Sequence, residues 1–442
     1  MKFKPKYLVI PVLIVIGYFL LSYIFPKYTG MYIFFVLLFL GDLYLWSSLR
    51  KKVFSYQAWL KIAVSFVYWL PLLMVAGMMI AALFVPYINW DDVFRTYWLG
   101  FILVFYTAKI LPILFLLLAD FVRVVERMFI LTKKEGRTQV QEERKAISRS
   151  RFLQYLGFLS GGLVLGTMFV GMFKWVYQFK VFKETIKLPN LPKDFGGFKI
   201  VQISDMHLGS WTLRKPLEQA VEMINKMDAD IVLFTGDLVN YATKEAFRFE
   251  EILKRIKASK GIFAILGNHD YGDYVQWSSV EAKQENMDEL YAFFDRVGWK
   301  LLNNENHIFK SSSGNLALIG VENWGANPRF PKLGDIDKAL EGTEKSDAKI
   351  LMTHDPTHWE KVIIPEGYDI GLSLSGHTHG FQFGIEIPGI KWSPAKWMYK
   401  NWAGLYRDET SGNYLYVNRG IGSIGYPGRI GILPEITLIE LI

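Results

Sequence analysis

The chain of 442 residues contains no cysteine. This absence excludes a disulfide framework, thiolate metal ligands and a cysteine nucleophile, and it is compatible with either side of a membrane. No internal repeat or low-complexity tract is evident in the sequence. Acidic residues are outnumbered by basic ones, 42 to 50, which gives a formal net charge of +8. Such an excess suits nucleic acid or an anionic membrane surface. Because long apolar segments accompany it, the membrane is the expected partner and no nucleic acid is predicted.

Apolar segments fill the first 175 residues, which are dominated by Leu, Ile, Val, Phe, Tyr and Trp. Each segment approaches or exceeds the ~18–20 residues that cross a hydrocarbon core, and charges within the segments are few. Asp42 and Lys109 are the exceptions. One such segment would also suit a buried core helix, but several in succession predict a transmembrane region over 1–175 with about five helices. The segments are 7–25, 31–49, 62–88, 97–119 and 152–173.

The placement of Lys and Arg between these segments predicts an orientation. The N-terminus and the second and fourth loops are rich in basic residues, whereas the first and third loops carry only Lys27 and Arg95. This alternation matches a cytoplasmic N-terminus under the positive-inside rule. Five crossings would then place the C-terminal domain outside the cytoplasm, although four lysines after the fifth segment argue the other way. We therefore expect an integral protein of the cell membrane with an extracytoplasmic C-terminal domain.

Residues after the last apolar segment read as a soluble α/β domain. Pro189, Pro192 and the Gly196-Gly197 pair mark a linker over 176–197, and a compact domain over 198–442 follows. Apolar β-type runs alternate there with helical patterns, which indicates a layered α/β fold whose ligands gather at the carboxyl ends of the strands. The predicted strands are 199–204, 231–235, 262–266, 316–320, 349–353, 370–375, 414–417 and 436–441.

Polar clusters follow five of these predicted strands, and five of the seven histidines fall in them. Carboxylate, imidazole and amide oxygen ligands without sulfur suit divalent ions such as Mn²⁺, Fe²⁺ or Zn²⁺. Seven or eight donors are too many for one ion, and they suit two ions ~3.5–4 Å apart that share a carboxylate. The sequence therefore predicts a site for two divalent metal ions. The polar residues of these clusters are Asp205, His207, Asp237, Asn240, Asn268, His269, Asp270, His354, His377 and His379.

The clusters together resemble the motif set of the calcineurin-like metallophosphoesterases. The motifs are Asp205-x-His207, Gly236-Asp237-x-x-Asn240, Gly267-Asn268-His269-Asp270, His354 and Gly376-His377-x-His379. The resemblance covers roughly 196–442. It is closest to the membrane-anchored bacterial phosphodiesterase branch, also described as UDP-2,3-diacylglucosamine pyrophosphatase-like, to which the stretch from Val417 to Ile436 is similar. It implies a metallophosphoesterase fold, with two β-sheets layered between helices.

The resemblance also implies a role for each residue. Asp205, His207 and His379 would hold the first metal ion, and Asp237 would bridge both ions. Asn268, His354 and His377 would complete the second site. His269 would be the general acid or would orient the leaving group, with Asp270 steering its ring. Asn240 would be structural.

Two further features lie outside these motifs. Arg419 and Arg429 flank a glycine-rich loop and would present guanidinium groups to a phosphate, although surface arginines more often bind nothing. An aromatic cluster would line an acyl groove, lie at the bilayer surface where Trp and Tyr are enriched, or pack within a lobe. Its members are Trp392, Trp397, Tyr399, Trp402 and Tyr406.

These features predict a membrane-bound, metal-dependent phosphoesterase. It would hydrolyse a phosphodiester, phosphomonoester or pyrophosphate bond by metal-activated hydroxide, and its anchor suggests a lipid-linked substrate. The alternative is a membrane sensor or scaffold that binds metal or phosphate without turnover. His269 favours the enzyme because holding metal does not require it. A transporter or channel is not favoured, because the apolar segments contain few of the charged residues that such proteins use within the membrane. The sequence leaves open the substrate, the native metals and the oligomeric state.

Overall fold

A computed structural model of the protein describes residues 6–85, 87–132 and 149–442. The chain divides into two compact units, one formed by 1–85 with 101–167 and the other by 86–100 with 168–442. Several of the basic residues that predicted the orientation, at positions 2, 4 and 133–148, lie outside the described residues.

The smaller unit is helical, as the sequence predicts. Among the described residues, four helical segments are long and apolar enough to cross a membrane, and the apolar part of the first helix is shorter, Ile14–Ile24. Each helix overlaps one predicted apolar segment. The third helix ends before its segment does, and the fourth extends beyond its segment at both ends. The helices are α1 (Lys6–Ile24), α2 (Tyr32–Val53), α3 (Ala58–Ala82), α4 (Asp92–Thr132) and α5 (Arg149–Phe173).

The two charges inside predicted spans neutralise each other. Lys109 Nζ lies 2.6 Å from Asp42 Oδ1, and the Tyr106 hydroxyl donates to Asp42 Oδ2 at 3.0 Å. Asp42 is 1% exposed. A charge inside a membrane segment needs a partner of this kind, so this ion pair accounts for both exceptions.

The larger unit contains two six-stranded sheets and a hairpin. The first sheet has the strand order β1-β14-β2-β3-β4-β5, the second has the order β12-β13-β9-β8-β7-β6, and β10 pairs with β11. All eight predicted strands are present. The strands are β1 (Lys180–Ile186), β2 (Lys199–Ile203), β3 (Ile231–Phe234), β4 (Ile262–Ala264), β5 (Lys300–Leu301), β6 (Glu305–Ser311), β7 (Gly314–Gly320), β8 (Ala348–Met352), β9 (Leu372–Ser375), β10 (Ile385–Ile387), β11 (Ile390–Trp392), β12 (Gly404–Arg407), β13 (Tyr414–Val417) and β14 (Glu435–Leu441).

One hydrophobic core lies where the two sheets pack face to face. Ile200 and Leu233 from the first sheet are buried in one cluster with Leu318 and Ile350 from the second. Helices cover the outer faces, and α6 buries Leu217, among others, at helical spacing. The predicted α/β fold with two sheets between helices is therefore confirmed. The helices of this unit are α6 (Lys215–Asn225), α7 (Glu250–Leu253), α8 (Val280–Val297) and α9 (Ile336–Leu340).

The predicted linker over 176–197 contains a strand. Residues of β1 pair in parallel with β14, starting with Lys180 opposite Glu435. Only Ile186 of β1 is buried, so this edge strand lacks the apolar run that marks a central strand. The larger unit also includes the first turns of α4 and the end of α5, from Met168 onward.

Candidate metal centre

The predicted ligands follow strands whose carboxyl ends meet at one edge of the two sheets. Strands β2, β3 and β4 run parallel to one another, as do β8 and β9. Each of the five is followed within a few residues by one polar cluster. Because parallel strands end at the same edge, side chains from distant parts of the sequence converge there.

The first group consists of Asp205, His207 and His379. One ligand atom from each lies within 4.8 Å of the others, and all three side chains are buried. His379 Nε2 is 3.1 Å from Asp205 Oδ1 and 3.0 Å from His207 Nε2. Two imidazole nitrogens and a carboxylate oxygen this close together could hold a divalent cation.

The second group consists of Asp237, His354 and His377, again with ligand atoms within 4.8 Å of one another. His354 Nε2 is 3.2 Å from Asp237 Oδ2 and 3.3 Å from His377 Nδ1. The Nδ1 atom of His354 donates to the Thr235 carbonyl oxygen at 2.7 Å. This hydrogen bond leaves Nε2 free to act as a ligand, in the way that metal-binding imidazoles are usually held.

Asp237 faces both groups, and Asn268 adds an unpaired acceptor. Asp237 Oδ2 also lies 3.6 Å from His207 Nε2 in the first group. Asn268 Oδ1 is buried without a hydrogen-bond partner among the described residues, while its Nδ2 donates to the Tyr274 hydroxyl at 2.8 Å. A buried oxygen without a donor costs free energy unless something binds it. The donor set therefore fits divalent cations.

The backbone at the ligands is strained. Five of the ligand residues have left-handed backbone angles, which are uncommon outside glycine and cluster at functional sites. Close packing accompanies the strain, since a Cβ atom on Gly267 would lie 2.3 Å from Asp237 Oδ1. The residues with positive φ are Asp205 (51°), His207 (45°), Asp237 (60°), His377 (71°) and His379 (49°).

Charges inside the cluster stabilise its carboxylates. Burial opposes the ionisation of Asp205 and Asp237, but the neighbouring histidines hold the pKa of both carboxyls well below the usual range. Burial also opposes the charged ring of His354, but the adjacent Asp237 carboxylate raises the pKa of His354 to about 10. The two carboxylates are therefore ionised, as ligands of a cation must be.

His269 lies beside the two groups and is only half-buried. Its backbone N–H donates to Asp237 Oδ1 at 2.8 Å, and its Nδ1 donates to the Asn240 carbonyl oxygen at 2.8 Å. Its ring stacks on Tyr274 with 4.3 Å between ring centroids. Burial lowers the pKa of His269. The ring is thus fixed in position, and Nε2 is the nitrogen left for a proton transfer.

Asp270 accepts hydrogen bonds from backbone groups, and its predicted role in steering the ring of His269 stays a prediction. Its carboxylate accepts from the backbone N–H groups of Asp237, Leu238 and Gly267 at 2.8–2.9 Å. Burial, followed by the charge of Asp237, raises the pKa of Asp270 to about 7. The carboxylate therefore fixes the loop that carries Asp237, and the Asn240 carbonyl orients His269.

A cavity of about 460 Å³ opens onto the ligands and His269. Tyr274 and Tyr399 lie in its wall, and the Tyr399 hydroxyl is 2.9 Å from His377 Nε2. The sequence motifs do not include either tyrosine. Tyr274 lies four residues after Asp270, so its closeness in sequence to the last motif residue is a signal for a place in the site. Tyr399 has no such signal, because the sequence places it only in the aromatic cluster.

The two arginines predicted to bind phosphate are 2% and 0% exposed. Arg419 Nη1 and Nη2 lie 2.5 Å from Glu435 and Glu386 respectively. Arg429 Nη2 donates to the carbonyl oxygens of Gly420 and Gly422 and lies 3.4 Å from His379 Nδ1. Neither arginine is among the residues that line the cavity. Their binding of substrate stays a prediction, and these contacts support a structural role.

Two family descriptions match the chain. Residues 198–381 match the family described as calcineurin-like phosphoesterase, and residues 24–175 match the one described as probable calcineurin-like phosphoesterase, transmembrane domain. The second match begins at the last residue of α1. The resemblance stated from the sequence motifs is thereby confirmed, whereas the diacylglucosamine pyrophosphatase-like branch stays a prediction.

Proteins similar in sequence to this chain are named as metallophosphoesterases. A "transmembrane protein with metallophosphoesterase domain" from Danio rerio is 32% identical over 268 residues, 59% of this chain and 57% of the relative. The matched region thus spans little more than half of that protein. An "uncharacterized metallophosphoesterase" from Bacillus subtilis is 29% identical over 67% of this chain and 98% of the relative. Among solved structures, a dimetal phosphatase from Danio rerio aligns with a TM-score of 0.31 at 12% identity, covering 51% of this chain and 88% of that one.

Proposed function

We propose that the chain is a membrane-bound, metal-dependent phosphoesterase. It matches both the calcineurin-like phosphoesterase family and the family of transmembrane domains that is described for such phosphoesterases. It hydrolyses a phosphodiester, phosphomonoester or pyrophosphate bond. The observation that carries this proposal is the position of Asp237, whose Oδ2 atom lies 3.2 Å from His354 and 3.6 Å from His207. One carboxylate between two sets of ligands is the arrangement of a two-metal site.

The site holds two divalent ions, of Mn, Fe or Zn, in this proposal. When bound, they supply an activated water and stabilise charge on the phosphoryl oxygens. Asp237 would contribute to both ion sites. Asp205, His207 and His379 would hold the first ion, and Asn268, His354 and His377 would hold the second.

His269 supplies the proton for the leaving oxygen. Its Nδ1–H is committed to the Asn240 carbonyl oxygen, so the proton that moves is on Nε2. As the bond between phosphorus and the leaving oxygen breaks, this proton neutralises the developing alkoxide. The negative phosphoryl group favours the protonated ring and so opposes the effect of burial on the His269 pKa. A metal-binding sensor or scaffold would not require this group.

The walls of the cavity favour a substrate with apolar groups. No residue lining the cavity is Lys or Arg, among residues 6–85, 87–132 and 149–442. A site without fixed cations gives a polyphosphate few partners besides the metal ions, whereas aromatic walls suit acyl or aryl groups. We therefore propose a phosphoester with apolar substituents, including lipid-linked ones. The aromatic wall residues are Tyr274, Phe330, Phe381, Tyr399 and Tyr426.

The proposed location of the catalytic domain is extracytoplasmic. An odd number of crossings from a cytoplasmic N-terminus supports this side, and it requires α1 to cross together with the four longer spans. A reporter enzyme that works only outside the cytoplasm should be active when it is fused after Ile442. A reporter that works only in the cytoplasm should be silent there. If instead the cytoplasm-dependent reporter were active, the catalytic domain would lie in the cytoplasm. That side would favour a diacylglucosamine pyrophosphatase-like activity, because its nucleotide substrate is cytoplasmic.

The test of the activity uses the full chain in detergent. Metal-loaded protein should hydrolyse bis(4-nitrophenyl) phosphate or 4-nitrophenyl phosphate, and a chelator or Asp237→Ala should abolish turnover. Asp369→Ala is the matched control, because this carboxylate is 84% exposed and pairs with Lys349. Turnover that survives both the chelator and Asp237→Ala would refute the mechanism. Metal binding without any turnover would favour the sensor.

A further inference from the structure

The hairpin formed by β10 and β11 has its apolar face outward. Ile385 pairs with Trp392 and Ile387 pairs with Ile390, so these four side chains share one face. The three isoleucines are 48%, 55% and 53% exposed. In a water-soluble domain the apolar face of a hairpin normally packs on the core.

An ion pair and a hydrogen bond hold the opposite, polar face of the hairpin against the domain. Glu386 and Lys391 pair across the strands on that face. Glu386 Oε1 lies 2.5 Å from the buried Arg419, and Lys391 Nζ donates to the Ala403 carbonyl oxygen at 2.5 Å. A shift of register by one residue would turn the apolar face inward and break these contacts. The outward isoleucines are therefore a fixed feature of the fold.

The apolar face continues onto neighbouring segments. The Trp392 ring lies 6.4 Å from the ring of Phe383 and 5.9 Å from that of Trp397, by centroids. Lys396 and Lys400 are exposed on the same segment. Exposed apolar and aromatic side chains with lysines nearby are typical of surfaces that enter a lipid headgroup layer. The apolar patch comprises Phe381 (40% exposed), Phe383 (45%), Ile385, Ile387, Ile390, Trp397 (72%) and Met398 (62%).

The end of a membrane helix lies close to this patch within the same unit. Phe383 forms a β-bridge with Ile430, and the preceding Arg429 N–H donates to the carbonyl oxygen of Gly171 in α5 at 3.2 Å. The Tyr426 hydroxyl donates to the carbonyl oxygen of Met168, also in α5. One loop thus joins the patch to the last turns of a candidate membrane span, Arg151–Tyr177.

The same residues border the proposed active site. Phe381 belongs to the patch and Tyr426 contacts the helix end, and both line the cavity. We propose that the apolar patch lies in the surface of the lipid bilayer and that the cavity opens beside it. The corollary, which rests on the proposed function, is that the substrate is an amphiphilic phosphoester that enters the cavity from the membrane.

Lipid contact can be tested at one residue because the chain has no cysteine. Ile387→Cys carries an environment-sensitive fluorophore in full-length protein reconstituted into phosphatidylcholine–phosphatidylglycerol vesicles. Val280→Cys is the matched control, since Val280 is an apolar residue 81% exposed at the start of α8. Lipids with a nitroxide on the acyl chain should quench the label at residue 387 and not that at 280. Aqueous iodide should show the reverse.

Two outcomes would overturn the proposal. Equal iodide quenching at both positions would show that the patch lies in water. Protection of residue 387 from both quenchers would show that protein covers it, such as a second copy of the chain.

Activity separates lipid access from the chemistry. Ile387→Glu should lower hydrolysis of a vesicle-borne fluorescent phospholipid by about tenfold, which corresponds to about 1.4 kcal/mol, and leave bis(4-nitrophenyl) phosphate hydrolysis unchanged. Val280→Glu should change neither. Equal losses on both substrates would refute the access role. If the wild-type protein hydrolyses no phosphoester at all, the proposed function fails, while the quenching result still decides whether the patch contacts lipid.

Discussion

The Nδ1 atom of His269 donates a hydrogen bond to the backbone carbonyl oxygen of Asn240 across 2.8 Å. The carboxylate of Glu245 holds the same loop, because its Oε2 atom accepts from the N–H groups of Asn240 at 2.7 Å and Tyr241 at 3.3 Å. Glu245 Oε1 in turn lies 3.2 Å from Arg95 in the first turn of α4. The proposed proton donor is thus positioned by a backbone loop that a buried ion pair secures.

Loss of Glu245 should therefore impair proton donation. Glu245→Ala leaves two backbone N–H groups without their acceptor, at a cost of about 1–3 kcal/mol each. We expect kcat for an alkyl phosphodiester to fall by about 10- to 100-fold, as displaced catalytic groups commonly cause. Bis(4-nitrophenyl) phosphate should be affected much less, since 4-nitrophenolate leaves without protonation.

A double-mutant cycle provides the control for Glu245. In a His269→Ala background, Glu245→Ala should cause little further loss on the alkyl substrate, because both changes remove one function. Fully additive losses would show that Glu245 does not act through His269.

Substitutions of the neighbouring residues Asn268 and His269, which follow β4, should impair the activity in different ways. Asn268→Ala removes an oxygen proposed to bind metal, so activity at low Mn²⁺ should fall and higher Mn²⁺ should restore much of it. His269→Ala should lower kcat for the alkyl substrate by about 10²–10⁴-fold, the usual contribution of general acid catalysis, at every metal concentration. Titration of kcat/KM against free Mn²⁺ makes the comparison. Restoration of both variants by metal would contradict the division of roles.

Asp270 should matter chiefly for stability. Its buried carboxylate accepts backbone N–H groups on both the β3 and the β4 loops, and hydrogen bonds to charged groups contribute about 1.5–3 kcal/mol each. Asp270→Ala should lower the melting temperature of the detergent-solubilised protein by about 5–10 °C, whereas His269→Ala should leave it nearly unchanged. An Asp270→Ala protein with normal stability and lost proton transfer would instead support the predicted steering role.

The sequence predicted most of the metal centre because its residues sit at strand ends. Asp205, Asp237, Asn268, His354 and His377 each follow an apolar run that forms a strand. Parallel strands that end at one edge must bring such residues together. Local pattern and tertiary position coincide at these places, so the motifs could be interpreted without coordinates.

Other features depend on contacts that no local pattern encodes. The partners of Asp270 are backbone N–H groups of another loop, which leave no trace in residue type. Tyr399 reaches His377 only through the path of the intervening hairpin, and the outward face of β10 is fixed by the distant Arg419. Edge strand β1 buries just Ile186, so its segment reads as a linker.

Substitution of Arg429 distinguishes a structural role from a phosphate-binding role. As a structural residue it ties the Gly420 and Gly422 carbonyl oxygens beneath His379. Arg429→Met should then lower the metal content and the melting temperature of the purified protein, because buried carbonyl groups lose their donor at about 1–3 kcal/mol each. KM at saturating metal should stay close to the wild-type value. Arg255→Met is the matched control, since that guanidinium is 54% exposed and pairs with Glu218 at the surface.

A phosphate-binding role for Arg429 makes the opposite prediction. KM would rise at saturating metal while metal content and melting temperature stayed normal, because a guanidinium that binds substrate contributes little to the unliganded fold. Metal analysis, thermal unfolding and steady-state kinetics on one preparation distinguish the two roles. The burial of Arg429, its donation to two carbonyl oxygens and its absence from the lining of the cavity favour the structural result.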